Sequence, residues 1–374
     1  MTDTFATTGI EITEWLTRSL GKDGIVGPTP VQVAAIPAVL SGKDVVIQSG
    51  TGTGKTLAYV LPLLQRARQD TTFRVVIIAP SPELAMQILR TVEAYKGPGL
   101  KSASLVGSGN IERQKERLKE HPQVLVGTPG RVLEMIFARK VQTRSIKALV
   151  LDEIDQILSP QNEAELREVC SRPEFDSQIL VASATFGKRG EAFAHDYMGA
   201  DLCRLQLQAS PLIQNIAHHY VVFPDQRSEI ALVRLLEERE IDLALVFVHK
   251  SYYVAKLFHA LKEHQIPCAT LSAEGDKRRR QQAIDALKHR EVRVLVATDA
   301  AARGLDIKDL AWVIHFELAN DKNAYLHRAG RTGRAGKTGT SVVMVTRDEL
   351  PILERQAREL RVEFSALPPH ESRT

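Results

Sequence analysis

This sequence of 374 residues has only three cysteines, Cys170, Cys203 and Cys268, far apart and without CxxC spacing. An odd, scattered set excludes a disulfide framework or a zinc cluster and fits a reducing compartment. There is no apolar h-region near the N-terminus and no apolar run of membrane-spanning length, so a cytoplasmic protein without a membrane partner is expected. Aromatics are scarce, at 5%, which disfavours recognition by base stacking. Net charge is also small, at +4, so any nucleic-acid surface must be local. What is present, 44% apolar and 25% charged residues, is ordinary globular composition, with length enough for two or three domains.

Short apolar runs alternate with helical patterns. Candidate strands are Asp44–Gln48, Arg74–Ala79, Ser102–Val106, Gln123–Val126, Ala148–Leu151 and Ile179–Ser183. Helical spacing marks Leu57 to Arg68, Glu83–Tyr95, Glu112–His121 and Arg131–Arg139. Gln206–Asn215, with Pro211, breaks the rhythm. Alternation resumes with Ala217–Phe223, Ala244–Val248, Cys268–Ser272, Val292–Ala297, Trp312–Leu318 and Ser341–Val345, before a helix at Leu350–Leu360. Apolar strands separated by helices read as βαβ units with parallel sheets. The expectation is two α/β domains, residues 1–208 and 217–374, joined by a linker at 209–216.

Ser49-Gly50-Thr51-Gly52-Thr53-Gly54-Lys55-Thr56 sits between the first strand and the first helix pattern. A glycine-rich surface loop is the bland alternative. In a strand–turn–helix context, though, glycines let backbone N–H groups converge on phosphates at a helix N-terminus. Lys55 would reach the β/γ-phosphates and the Thr56 hydroxyl would hold Mg²⁺. Ala148–Leu151 runs directly into Asp152-Glu153-Ile154-Asp155. Asp152 is placed to hold the metal and Glu153 to orient or deprotonate the attacking water. A helix cap with acids in its first turn would look the same. His327-Arg328-Ala329-Gly330-Arg331-Thr332-Gly333-Arg334 spaces arginines three apart, one turn if helical, either as a solvated basic turn or as a guanidinium source for a phosphoryl transition state.

Together these residues resemble the DEAD-box ATP-dependent RNA helicases, in a minimal bacterial-type core with a DEID form of the box. Gly27-Pro28-Thr29-Pro30-Val31-Gln32, Thr128-Pro129-Gly130-Arg131, Ser183-Ala184-Thr185, Thr298-Asp299 and Arg303-Gly304-Leu305-Asp306 follow in the family's order. The resemblance implies two RecA-like domains, each a mainly parallel sheet flanked by helices, with ATP and Mg²⁺ as cofactors. It implies that Thr29 and Gln32 read adenine, with Trp15 as the upstream aromatic and Ile25 in place of an aromatic against the base. Residues 49–56 would take the phosphates, Gly304 and Asp306 would contact the nucleotide, and Arg331 and Arg334 the γ-phosphate. Ser183, Thr185 and His327 would couple hydrolysis to closure. Pro80, Gly107, Thr128, Arg131, Arg280 and Thr298 would meet the RNA backbone.

The departures from the family pattern are specific. Ile154 replaces an alanine, Pro82 an arginine, Ser272 a histidine and Lys277 a glutamine. Residues 101–147 carry ten basic and four acidic side chains, and Lys277-Arg278-Arg279-Arg280 is a basic block, yet neither interleaves aromatics. That favours backbone recognition of RNA without sequence preference. Ribonucleoprotein or ribosome-assembly partners and a monomeric state are family-level expectations. An ATP-gated RNA clamp and a DNA translocase remain open alternatives to unwinding.

Overall fold

A computed structural model describes residues 4–50, 52–107, 110–160, 162–172, 176–207, 215–223, 229–271, 277–299, 301–302, 310–333, 338–360 and 362–367. The readings at Thr51, Ser272, Arg303, Gly304, Leu305, Asp306 and Arg334, the side chain of Lys277 and most of the linker lie outside them. The chain divides into two compact units, Met1–Ser210 and Pro211–Thr374.

The first unit holds strands β1 (Val45–Gln48), β2 (Arg74–Ile78), β3 (Ser102–Leu105), β4 (Val124–Gly127), β5 (Ile146–Asp152), β6 (Gln178–Ser183) and β7 (Cys203–Gln206). They form one parallel sheet in the order β3-β4-β2-β5-β6-β1-β7. Its apolar strands are buried on both faces because side chains alternate. Val45 and Ile47, Val75 and Ile77, and Ala148 and Val150 enter one core. Val46, Val76, Ile78, Leu149 and Leu151 enter the other.

Helices cover both faces. They are α1 (Glu14–Lys22), α2 (Pro30–Leu40), α3 (Lys55–Gln69), α4 (Pro82–Tyr95), α5 (Ile111–Leu118), α6 (Pro129–Phe137), α7 (Ile154–Ile157), α8 (Glu163–Cys170) and α9 (Lys188–Tyr197). Prolines open α2, α4 and α6, where a missing N–H leaves nothing unpaired. Ile154 is fully buried in the second core, so the bulk it adds over an alanine is taken up by packing.

The second unit repeats the plan with β8 (Ile216–Phe223), α10 (Glu229–Glu238), β9 (Ala244–Val248), α11 (Ser251–Glu263), β10 (Cys268–Leu271) and α12 (Lys277–Lys288). It continues with β11 (Val294–Thr298), β12 (Trp312–His315), α13 (Lys322–Ala329), β13 (Gly339–Thr346), α14 (Leu350–Leu360) and β14 (Ser365–Ala366). This sheet is also parallel, in the order β10-β11-β9-β12-β13-β8-β14. The two-sheet α/β architecture expected from sequence is what the structure has. Sequence reasoning did not anticipate the short edge strands β7 and β14. Gln206, placed at the start of the break, pairs instead with Gln48. Ile216, placed at the end of the linker, opens β8. No helix among the described residues is long and apolar enough to cross a membrane.

Candidate active site

In a parallel sheet all strands end on one edge, and ligands bind beyond it. In the first unit that edge collects Ser49 after β1, Pro80 after β2, Gly107 after β3, Thr128 after β4, Asp152 at the end of β5 and Ser183 at the end of β6.

The glycine-rich loop of residues 49–56 leaves β1 with the Ser49 N–H donating to the Ser183 carbonyl at 3.1 Å. It turns on Gly52 (φ +73°) and Gly54 (φ +96°), left-handed conformations that glycine adopts freely. The Ser49 hydroxyl donates to Thr53 Oγ1 at 3.0 Å, and Thr53 Oγ1 donates to the Gly50 carbonyl at 2.9 Å. Lys55 opens α3, and its buried ammonium folds back onto the carbonyls of Ser49 (2.7 Å) and Gly50 (2.8 Å). Gln32 in α2 reaches the same loop, donating from Nε2 to the Gly54 carbonyl at 3.2 Å. Its Oε1 accepts from the Thr29 N–H at 2.9 Å.

Asp152 is almost fully buried and accepts a hydrogen bond from the Tyr59 hydroxyl at 2.8 Å. Burial first, and the neighbouring Glu153 second, raise its pKa to about 7. Glu153 sits in the left-handed region (φ +58°), a conformation costing about 1–3 kcal/mol in a non-glycine residue. Its N–H donates to the Ala182 carbonyl at 2.7 Å, and among the described residues its buried Oε2 has no hydrogen-bond partner. Two adjacent carboxylates drawn out of water are a setting a divalent cation relieves, and Thr56 adds the hydroxyl oxygen. The donor set fits Mg²⁺, which takes oxygen ligands, one or two carboxylates and substrate phosphate.

Asp155 had no role in the sequence reading, and the structure gives it one. Its carboxylate accepts from the hydroxyls of Ser183 (2.9 Å) and Thr185 (2.6 Å), so the end of β6 is tied to the turn after β5. In the sequence Asp155 is the last acid of the DEID box, three residues after Asp152.

Other expected positions are reached differently. Trp15 lies under the Arg68 guanidinium, 4.6 Å from the ring centroid. Arg68 is thirteen residues beyond Lys55 on α3, about 20 Å along its axis, so Trp15 is not brought to the glycine-rich loop. Ile25 packs partly buried against the first core. Gly107, Thr128 and Arg131 come together: Arg131 donates to the Gly107 carbonyl at 3.2 Å and to Gln114 Oε1 at 3.4 Å, and it pairs with Glu134 at 2.9 Å. Pro82 is the first residue of α4, behind a Ser81 cap that accepts from the Leu84 N–H at 3.3 Å.

In the second unit Thr298 ends β11, and its hydroxyl accepts from the Ala301 N–H at 3.3 Å. Arg280 donates to the carbonyl of the same Ala301. Arg328 is 1% exposed and grips Asp299 through both carboxylate oxygens at 2.6 Å, with a third bond to the Glu317 carbonyl at 2.7 Å. The helix that carries His327 ends at Ala329, so Arg331 stands in the turn beyond it, donating to the His327 carbonyl at 3.2 Å. The helical spacing of the arginines therefore does not extend past Arg328.

A DEAD/DEAH box helicase model matches residues 29–193, and a helicase conserved C-terminal domain model matches 228–336. The chain belongs to the DEAD/DEAH box helicase family. It is 40% identical over 353 residues to the probable ATP-dependent RNA helicase YfmL of Bacillus subtilis, covering 94% of this chain and 93% of that one. It is 37% identical to the DEAD-box ATP-dependent RNA helicase CshC of Bacillus cereus, covering 94% and 90%. Among solved structures, S. cerevisiae Dbp5 bound to RNA and ADP BeF3 superposes with a TM-score of 0.84 at 26% identity, covering 98% and 96%.

Proposed function

We propose that this family member is an RNA-stimulated ATPase that holds RNA by its sugar–phosphate backbone and opens short duplexes as it hydrolyses ATP. The observation that carries the reading is the strand edge where the phosphate loop, Asp152–Glu153 and the Asp155-bound hydroxyls of Ser183 and Thr185 converge. The names of the curated relatives, ATP-dependent RNA helicases, support it.

In this reading Thr29 and Gln32, with Ile25 beside them, select adenine. The N–H groups of residues 49–56 take the phosphates, and Lys55 leaves its two carbonyls for the β/γ-phosphates. Thr56 and Asp152 would hold Mg²⁺, which when bound neutralises phosphate charge. Glu153 orients the attacking water and accepts its proton. Arg331 and Arg334 of the second unit stabilise the charge that builds on the γ-phosphate, and Gly304 and Asp306 contact the nucleotide. Pro80, Gly107, Thr128 and Arg131 in one unit, with Arg280 and Thr298 in the other, meet RNA phosphates and riboses. Domains of residues 1–208 and 217–374 about a linker at 209–216 are part of the same proposal. So are a cytoplasmic monomer and partners in ribonucleoprotein or ribosome assembly.

Glu153→Gln tests the centre. It should bind ATP nearly as well as the unmodified chain and hydrolyse it at least about a hundredfold more slowly, the share expected of a general base. A wild-type rate overturns the assignment of Glu153. A strand-displacement assay on a short RNA duplex tests the unwinding itself.

A further inference from the structure

The first turns of α3 put three polar side chains at one place. Lys55 and Tyr59, four residues apart, share a face of the helix, and Thr56 lies between them in sequence. The Tyr59 ring is fully buried in the first core, where phenylalanine would fill the same space. A hydroxyl left unpaired there would be destabilising. Instead it donates to Asp152 Oδ2 at 2.8 Å.

A phenol has one proton. Here it goes to Asp152 Oδ2. That donation fixes one of the two oxygens of Asp152.

We propose that Tyr59 is a positioning residue for Mg²⁺, its phenol orienting the Asp152 carboxylate. The inference rests on the reading that Thr56 and Asp152 hold the metal. It makes α3 the common support of phosphate binding, through Lys55, and of metal binding, through Tyr59.

The test is binding of mant-ADP, followed by fluorescence in EDTA and across a Mg²⁺ titration, on the full chain and on Tyr59→Phe. In EDTA the two proteins should bind equally. The gain in affinity on adding Mg²⁺ should be about tenfold smaller in Tyr59→Phe, the scale seen when a group that orients a metal ligand is removed. In an Asp152→Asn background Tyr59→Phe should change the Mg²⁺ gain by much less. An equal Mg²⁺ gain in the two proteins overturns the role of Tyr59 alone. Absence of any Mg²⁺ gain in the unmodified chain overturns the metal reading beneath it. Should Tyr59→Phe lose binding in EDTA as well, ¹⁹F resonances of the unmodified chain labelled with 3-fluorotyrosine decide. A buried tyrosine signal that moves when Mg²⁺ joins bound ADP supports the proposal, and no Mg²⁺-dependent signal overturns it.

Discussion

The side-chain amide of Gln32 is hydrogen-bonded at both ends, to Thr29 at 2.9 Å and to the Gly54 carbonyl at 3.2 Å. It therefore couples the start of α2 to the glycine-rich loop within one unit. Gly54 is shaped for that approach, since a Cβ built on it would stand 2.5 Å from Gln32 Nε2. A residue expected to read a base is thus in contact with the backbone expected to bind phosphates.

Gly54→Ala should be destabilising for two reasons. The left-handed backbone costs an alanine about 1–2 kcal/mol, and the new methyl group meets the Gln32 amide. Gln32→Ala removes the nearer obstruction, leaving Thr29 Oγ1 at 3.1 Å, and does not relieve the backbone. The double variant should then be less destabilised than the sum of the two single ones, because the residues touch. Thermal melts of the four proteins measure this, and ADP affinity should follow the same order. Additive losses would mean that the amide does not resist the methyl group.

The fold was legible because strands buried on both faces leave long apolar runs between helical stretches. Val45–Ile47 and Ala148–Leu151 declared themselves that way. β7 did not: it is four residues long and half exposed at the sheet edge, so it carries little hydrophobic signal. Within the site, Lys55, Asp152 and Glu153 were readable from motif spacing, whereas the partners of Asp155 and Tyr59 were not. Those contacts join residues 28 to 93 positions apart, and only the strand order brings them together. Arg328 teaches the same point in the second unit. In sequence it is one arginine among several, and the structure buries it against Asp299.

Acid should weaken the second unit through His315. Burial first, and the Arg328 charge and His218 after it, hold its imidazole pKa well below the usual 6.5. His315 stacks on Tyr325 at 4.8 Å, faces Phe247, and shares a hydrogen bond of 3.0 Å with Ser341. A folded state that refuses a proton which the unfolded chain accepts keeps full stability above 6.5 and loses it as pH falls below that value. One such group contributes a slope of about 1.4 kcal/mol per pH unit until the folded pKa is reached. Urea unfolding between pH 7.5 and 5 (values chosen to bracket about 6.5, the unperturbed imidazole) should show that slope, and His315→Gln should flatten it even if it lowers stability throughout. An unchanged slope would place the acid sensitivity on another group.

Pro82 separates a structural role from a lost RNA contact. As the first residue of α4 it has a favourable fixed φ and no N–H to leave unpaired. If the family's arginine at this position touches RNA, Pro82→Arg should tighten binding of single-stranded RNA, by about 1 kcal/mol for a partly exposed contact. The logarithmic salt dependence should steepen by roughly 0.7, one phosphate's share on a single strand. A cation at a helix N-terminus opposes the helix dipole by about 0.3–1 kcal/mol, so a slightly lower melting temperature is expected alongside. The measurement is RNA affinity at several salt concentrations with a non-hydrolysable ATP analogue present. A lower melting temperature with unchanged affinity and slope would mean that Pro82 serves only to start its helix. A steeper slope, by contrast, would locate RNA phosphate beside the N-terminus of α4, next to Pro80.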